Sequence, residues 1–380
     1  MAQKVWPVKD NPLLCAPTRL VAREDLKELI NRLTDNLIHI TDETGEFLLR
    51  LDDGRTIDAK GWNGWEWTHG IGLYGMWQYY EQTGDQRFRT IIEDWFTARL
   101  AEGTTKNVNT MAPFLTLAYL YENTGRRDYL PWLDSWAEWA MRDMPRTPHG
   151  GMQHVTLVEE NHHQLWDDTL MMTVMPLTKI GLLLHRPAYV HEALFQVLTH
   201  VRYLADPHTG LWYHGWTFDG AHNFADALWA RGNAWITMVI PELLDLLDLD
   251  EADPTRRFLI EVLDEQVAAL DSLQDESGLW HTLLDDPSSY LEASATAGFA
   301  YGILKGVRKG YLDNKYRNTG EKAIKAIIDN ISDDGELQQV SFGTHLGRDL
   351  DYYRQIPRTS MPYGQAMAIL CLTEYLRTYY

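Results

Sequence analysis

One loop signature returns four times along the chain, and its spacing limits the fold more than any other feature. Pro145 to His154 contains Pro-His-Gly-Gly-Met-Gln-His, and Asp206 to Trp216 reads Asp-Pro-His-Thr-Gly-Leu-Trp-Tyr-His-Gly-Trp. Asp275 to His281 reads Asp-Glu-Ser-Gly-Leu-Trp-His, and Asp333 to Val340 holds a weaker Asp-Asp-Gly-Glu-Leu copy. With Gly151, Gly210, Gly278 and Gly335 as markers, the intervals are 59, 68 and 57 residues, each room for two helices and their loops. This is an internal repeat.

The segments between these loops have helical periodicity. Leu26, Leu29, Ile30, Leu33 and Leu37 fall at the i, i+3, i+4, i+7, i+11 positions of an amphipathic helix. A helix over about Thr68 to Tyr80 stops at Gln82-Thr83-Gly84-Asp85, and one over Met111 to Asn123 stops at Asn123-Thr124-Gly125-Arg126, both glycine endings. Looser endings follow at Leu184 to Pro187, Leu249 to Pro254 and Lys309 to Asp313. Two kinds of junction alternate, so every second helix points the same way. The length accommodates about six hairpins, and a ring of them gathers the Trp/His loops at one mouth. The expected fold is therefore all-α: an (α/α)6 barrel, a six-hairpin toroid, over residues 26–380, with short strands only in the Gly-Leu-Trp loops and an N-terminal extension over 1–25. Gly64, Gly70, Gly72 and Gly75 would let inner helices approach closely, although Gly costs roughly 1 kcal/mol in a helix interior.

Charge and cysteine content narrow the function. A formal net charge of -20 argues against nucleic acid or an anionic membrane surface as a partner. An anionic ligand must then be small and locally paired with Arg. Cys15 and Cys371 lie near opposite ends and are expected to be reduced bystanders. Met1 to Leu20 has no uninterrupted apolar run, so no secretory signal or membrane anchor is expected, and the reading is of a cytoplasmic protein. Nothing in the sequence sets an oligomeric state. The 15 Trp and 19 Tyr suit the apolar faces of a sugar ring, although most such rings should pack between helices.

Four clusters head the presumed inner helices, and a toroid brings them to one cavity. They are Trp65-Glu66-Trp67-Thr68-His69-Gly70; Asn107-Val108-Asn109-Thr110-Met111; Gln164-Leu165-Trp166-Asp167-Asp168-Thr169-Leu170, with His154, His162 and His163 upstream; and His214-Gly215-Trp216 followed by Trp229-Ala230-Arg231-Gly232-Asn233-Ala234-Trp235. The Asp pair serves either as a helix cap or as a catalytic acid. A guanidinium between Trp229 and Trp235 is a site for a ring carboxylate, or Arg231 is paired structurally with Asp226 or another acid. The run Asp351 to Gln365 either adds hydroxyl and guanidinium groups or forms a surface loop. Neither metal nor cofactor is expected: His162 and His163 are adjacent rather than spaced i, i+4, and no Cys cluster, nucleotide loop or Gly-x-Ser-x-Gly elbow occurs.

Taken in order, Gln164 to Leu170, Leu211 to Trp216, Trp229 to Trp235 and Lys305 to Leu312 resemble the unsaturated rhamnogalacturonyl hydrolases of glycoside hydrolase family 105. The likeness to the unsaturated glucuronyl hydrolases of family 88 is more distant. The resemblance implies an (α/α)6 barrel that removes a 4,5-unsaturated uronic acid from the non-reducing end of lyase-generated oligosaccharides, by hydrating the C4=C5 double bond. It implies Asp168 as general acid and base, with burial against Trp166 raising its pKa. It further implies pocket roles for His154 and His214 and contacts to the uronic ring from Trp229, Arg231 and Trp235. Asp167 and Trp216 complete the expected substrate-binding set. Where better-known members have a second pocket aspartate, this chain offers Asn109, so the second carboxylate's part falls to Asp167 or Glu66. Two other readings remain: a sugar epimerase on the same barrel using His214 and His281, and a catalytically silent saccharide-binding protein.

Overall fold

The computed structural model describes residues 19–50, 54–58 and 60–380. Cys15 and nearly all of the Met1 to Leu20 stretch lie outside the described residues; Cys371 is a buried free thiol.

Among the described residues, helices of nine or more residues are α1 (Arg23–His39), α2 (Trp67–Thr83), α3 (Gln86–Glu102), α4 (Phe114–Thr124), α5 (Leu130–Glu138), α6 (Met175–Leu183), α7 (Pro187–Leu204), α8 (Ala230–Leu247), α9 (Pro254–Leu273), α10 (Ala293–Arg308), α11 (Arg317–Asp329) and α12 (Pro362–Tyr379). The inner six contact one another in the closed order α2, α4, α6, α8, α10, α12 and back to α2. Each inner helix has an outer partner behind it, with α1 covering α12. The molecule is an (α/α)6 barrel. Burial follows the same division. In α8 every residue from Ala230 to Leu244 is buried, whereas α9 buries only a stripe that includes Leu259, Leu263, Val267 and Leu270. An inner helix is enclosed by neighbours on all sides; an outer one covers the core with a single face.

The glycine endings are as expected: Gly84 and Gly125 close α2 and α4 at φ 73° and 66°. Gly70 also has a packing role, since a Cβ there would lie 2.6 Å from that of Ala112. That second helix starts late. Asn107 caps a single turn, Val108–Met111, and Pro113 restarts the chain as α4.

The strands differ from expectation. One hairpin, β1 (Leu48–Arg50) with β2 (Thr56–Asp58), lies in no Gly-Leu-Trp loop. β3 (Gln164–Trp166) pairs antiparallel with β4 (Gly215–Thr217), and β5 (Trp280–His281) with β6 (Leu291–Glu292). The β3–β4 ladder joins the Asp-pair segment to the Trp-Tyr-His loop, two segments about fifty residues apart in the chain, and thereby sets the site.

The inner helices begin at the mouth and end at a charged floor. There the buried Glu242 accepts hydrogen bonds from Tyr74 (2.8 Å), Lys305 (2.7 Å) and Tyr301. Lysines and arginines in these last turns also oppose the negative ends of the helix dipoles.

Candidate active site

At the mouth lies a cavity of about 260 Å³ whose wall includes Glu66, Asn109, His154, Trp166, Asp168 and Arg231. The turn from β3 into the inner helix brings Asp167 and Asp168 to its base. Asp168 Oδ1 accepts the indole N–H of Trp235 at 3.2 Å, and Oδ2 lies 3.6 Å from His214 Nε2. On the other side of His214, Nδ1 is 2.8 Å from the Tyr353 hydroxyl, whose oxygen accepts the Gly347 N–H. The tyrosine proton therefore goes to Nδ1, leaving the imidazole N–H on Nε2, facing Asp168.

Asp167 is wholly buried, with no well-formed hydrogen bond to either carboxylate oxygen. Ionised, it would be a bare charge in an apolar wall beside a second carboxylate. Burial, then the charge of Asp168, pushes it well above the carboxylate range. A proton on Asp167, shared toward Asp168, satisfies both. Burial also pushes Asp168 upward. The combined pull of His214, His154 and the Asp167 hydrogen bond outweighs it and holds Asp168 well below the ordinary value. This corrects the expectation that burial against Trp166 raises Asp168: the proton of the pair resides on Asp167. His154 stacks on Trp166 at 4.2 Å, nearly parallel, and burial lowers it to about 4, so it is neutral near pH 7. Burial raises Glu66 to about 7, against the opposing hydrogen bonds from the Trp67 backbone and the Asn109 side chain.

Comparison with known proteins follows this geometry. The model for Glycosyl Hydrolase Family 88 matches residues 39–379. The chain belongs to glycosyl hydrolase family 88. It is thus a glycosidase, and it is 33% identical to an unsaturated rhamnogalacturonyl hydrolase of Bacillus subtilis over 83% of this chain and 90% of that one. A possible family 105 member from Salmonella enterica is 68% identical, with a TM-score of 0.95 over 99% of this chain and 100% of that one. A family 105 glycoside hydrolase from C. acetobutylicum is 25% identical, with a TM-score of 0.74 over 82% and 93%.

In this family 88 chain the expected residues separate into groups. Asn109, His154, Asp168, Trp229 and Arg231 line the cavity. Asp167, His214 and Trp235 stand behind Asp168. Trp216 packs on Tyr203 at 5.6 Å, outside the cavity wall. His162 and His163 likewise fail to converge on the mouth; they meet Asp219 at the surface.

Arg231 lies between the rings of Trp229 and Tyr363, at 4.8 and 4.9 Å. Its two terminal nitrogens are engaged: Nη1 donates to Ser341 Oγ at 2.6 Å, and Nη2 to the Phe342 carbonyl at 3.0 Å and Thr344 Oγ1 at 3.1 Å. Its acidic partner is the buried Glu292, 3.6 Å away, rather than Asp226. The structural pairing thus accounts for this guanidinium, which ties the Ser341–Thr344 loop into the cavity wall.

The cavity wall includes residues that motif reading passed over: Phe342, Thr344 and the loop Thr156–Val158. No pattern marks them, because they reach the cavity through Arg231 and the barrel ring rather than through local spacing. From the run Asp351 to Gln365, Tyr353 and Tyr363 enter the site while Arg354 pairs with Asp286 and Asp351 away from it.

Proposed function

We propose that this glycosidase removes a 4,5-unsaturated uronic acid from the non-reducing end of lyase-generated oligosaccharides, with Asp168 as the group at the reacting double bond. The observation carrying this reading is the Asp167–Asp168 pair at the base of an aromatic cavity of about 260 Å³, in which burial pushes Asp167 well above the carboxylate range while the pull of His214 holds Asp168 below it. Protonation of the enol ether at C4 needs an acid; addition of water at C5 needs a base. In the proposed sequence the pair's proton passes from Asp167 across their hydrogen bond to Asp168, which delivers it to C4, and the Asp168 carboxylate so formed then accepts a proton from the water that adds at C5, restoring one proton to the pair. Water adds its hydroxyl to C5, the hemiketal opens by breaking the C5–ring oxygen bond, and the freed hemiacetal at C1 releases the aglycone. One water is consumed. Because the anomeric carbon is never attacked, the carboxylate-separation rule for retaining and inverting enzymes does not govern this site. Trp67 and Phe342, partly exposed in the cavity wall, offer faces for the ring, with Trp166 and the buried Trp229 packed behind His154 and Arg231, and Asn109 with Glu66 offers hydrogen bonds to its hydroxyls.

The epimerase reading loses support from His281, whose Nδ1 is bonded to the Ser289 carbonyl at 2.5 Å and which is not part of the cavity wall.

The test is the absorbance of the conjugated double bond across a panel of lyase-generated disaccharides. Loss with the wild type and none with Asp168→Asn is the expected result. Binding without turnover by both proteins would favour a silent saccharide binder.

A further inference from the structure

A second group of chemically capable side chains lies outside the cavity, where β3 and β4 end. His162 Nδ1 is 3.8 Å from Asp219 Oδ2, His163 Nδ1 is 2.9 Å from Asp219 Oδ1, and one ligand atom from each residue lies within 4.8 Å of the others. Successive side chains of an extended strand point to opposite faces, yet these two imidazoles lie side by side, tilted by 34° with centroids 3.7 Å apart. The backbone explains this. Asn161 and His163 both adopt left-handed conformations, at φ 45° and 56°, each costing roughly 1–2 kcal/mol for a residue with a Cβ. The conformation is held from several sides: Asn161 Nδ2 donates to the His154 carbonyl at 2.9 Å, the His163 N–H to Gln153 Oε1 at 3.0 Å, and the Phe218 N–H to the His163 carbonyl at 3.0 Å. Asp219 approaches from the turn after β4.

We propose that His162, His163 and Asp219 form a binding site for a borderline divalent cation of the Zn²⁺ class. Bonds of ~2.1 Å from a tetrahedral zinc to nitrogen and oxygen set ligand–ligand edges of about 3.4 Å. The observed 2.9 Å runs to Oδ1 and the 3.8 Å to Oδ2 of Asp219, with one ligand atom of each residue within 4.8 Å of the others, so closure on one ion needs the carboxylate to turn. Two neutral imidazoles and one carboxylate are a donor set suited to Zn²⁺ and leave one coordination position open. The adjacency that argues against a helical metal motif is overcome by the two left-handed residues. His222 and Arg348 line the same surface hollow; the arginine charge opposes a cation there, and His222 Nδ1 already accepts the Phe224 N–H at 3.0 Å. Binding would tie the loop that supplies Thr156, Leu157 and Val158 to the cavity wall onto the β4 turn, a link between the ion and the mouth that does not depend on the substrate assignment.

The test is calorimetric titration of tag-free protein with ZnCl₂, comparing wild type, His163→Ala/Asp219→Asn and Asp168→Asn. Asp219 is about two-thirds and His163 about one-third exposed, so folding of the surface variant is expected and is checked by its melting temperature. The expected result is one Zn²⁺ per chain, with affinity ~100-fold weaker or less in the double variant, because even outer-shell changes cost ~10–100-fold, and unchanged affinity in Asp168→Asn. No zinc binding by the wild type overturns the proposal. So does undiminished binding by the double variant, or loss in Asp168→Asn, which would assign the ion to Asp167, Asp168 and His214.

Discussion

Gly232 leaves no room for a side chain against Asp167: a methyl group on its Cα would overlap Oδ2 of that carboxylate. One turn of α8 therefore presses backbone against the buried member of the acid pair, and the glycine is a condition of the pair's geometry. Gly232→Ala is expected to displace Asp167 and Asp168, to destabilise the fold by ~1–3 kcal/mol as overpacking does, and to lower kcat far more than that stability loss explains. Thermal melting and steady-state kinetics on one preparation separate the two effects.

Asp168→Asn retains the shape of the site and removes the transferable proton. A loss of ~10²–10⁴-fold in kcat is expected from general acid–base chemistry, with substrate affinity by calorimetry retained.

Tyr353 fixes the tautomer of His214, and it does so from a helical turn, Leu350–Arg354, on the far side of the chain's last long loop. Removing its hydroxyl with Tyr353→Phe frees the imidazole to place its proton on either nitrogen. A fall in kcat of about tenfold, with KM little changed, corresponds to one hydrogen bond of about 1.4 kcal/mol. An unaltered kcat would mean that the orientation of His214 does not matter.

The sequence reveals some of this directly and conceals the rest. The ring of hairpins follows from the repeat interval and from glycine endings such as Gly84 and Gly125, because those signals are local. Asp168 and Trp229 are legible because each stands at the entry to an inner helix, and His154 because it closes a copy of the repeated loop. The occupied state of Arg231 is not legible: its partners Glu292, Ser341 and Thr344 come from distant segments brought together by the barrel's closure. Nor is the direction of the Asp168 shift, which turns on a His214 contact made through the β3–β4 ladder. Trp216 misleads because a position two residues from His214 suggests a shared face, whereas its ring packs on Tyr203, outside the cavity wall.

Arg231 and Glu292 are both nearly inaccessible to water. Arg231→Met would strand a buried carboxylate and is expected to cost ~3–5 kcal/mol, whereas Arg231→Lys retains the charge but cannot bridge Ser341, Phe342 and Thr344 together. Denaturant unfolding should rank the variants wild type, Lys, Met, and the Lys variant should show a raised KM from a loosened wall.

Burial holds His69, His154 and His200 down to about 4 from 6.5. The unfolded chain therefore binds protons at these three positions between pH 6.5 and 4 while the folded chain does not. Stability from these groups is fully present above about 6.5 and is lost as pH falls through that window, at about 1.4 kcal/mol per pH unit for each proton. Glu66, raised to about 7 from 4.5, and Asp167, pushed well above the carboxylate range, oppose the trend in overlapping windows, while His214, lowered by burial, adds to it. Melting temperatures should fall as the pH is lowered from 6.5 to 4; a flat profile would contradict the buried, neutral assignment.

The most direct test of the proposed chemistry is release of the aglycone sugar from a matched pair of disaccharides, identical except that one uronic acid has the C4=C5 double bond and the other is saturated. Hydration predicts release from the unsaturated member alone, in step with loss of its absorbance. Comparable release from the saturated member would mean attack at the anomeric carbon and would contradict the account.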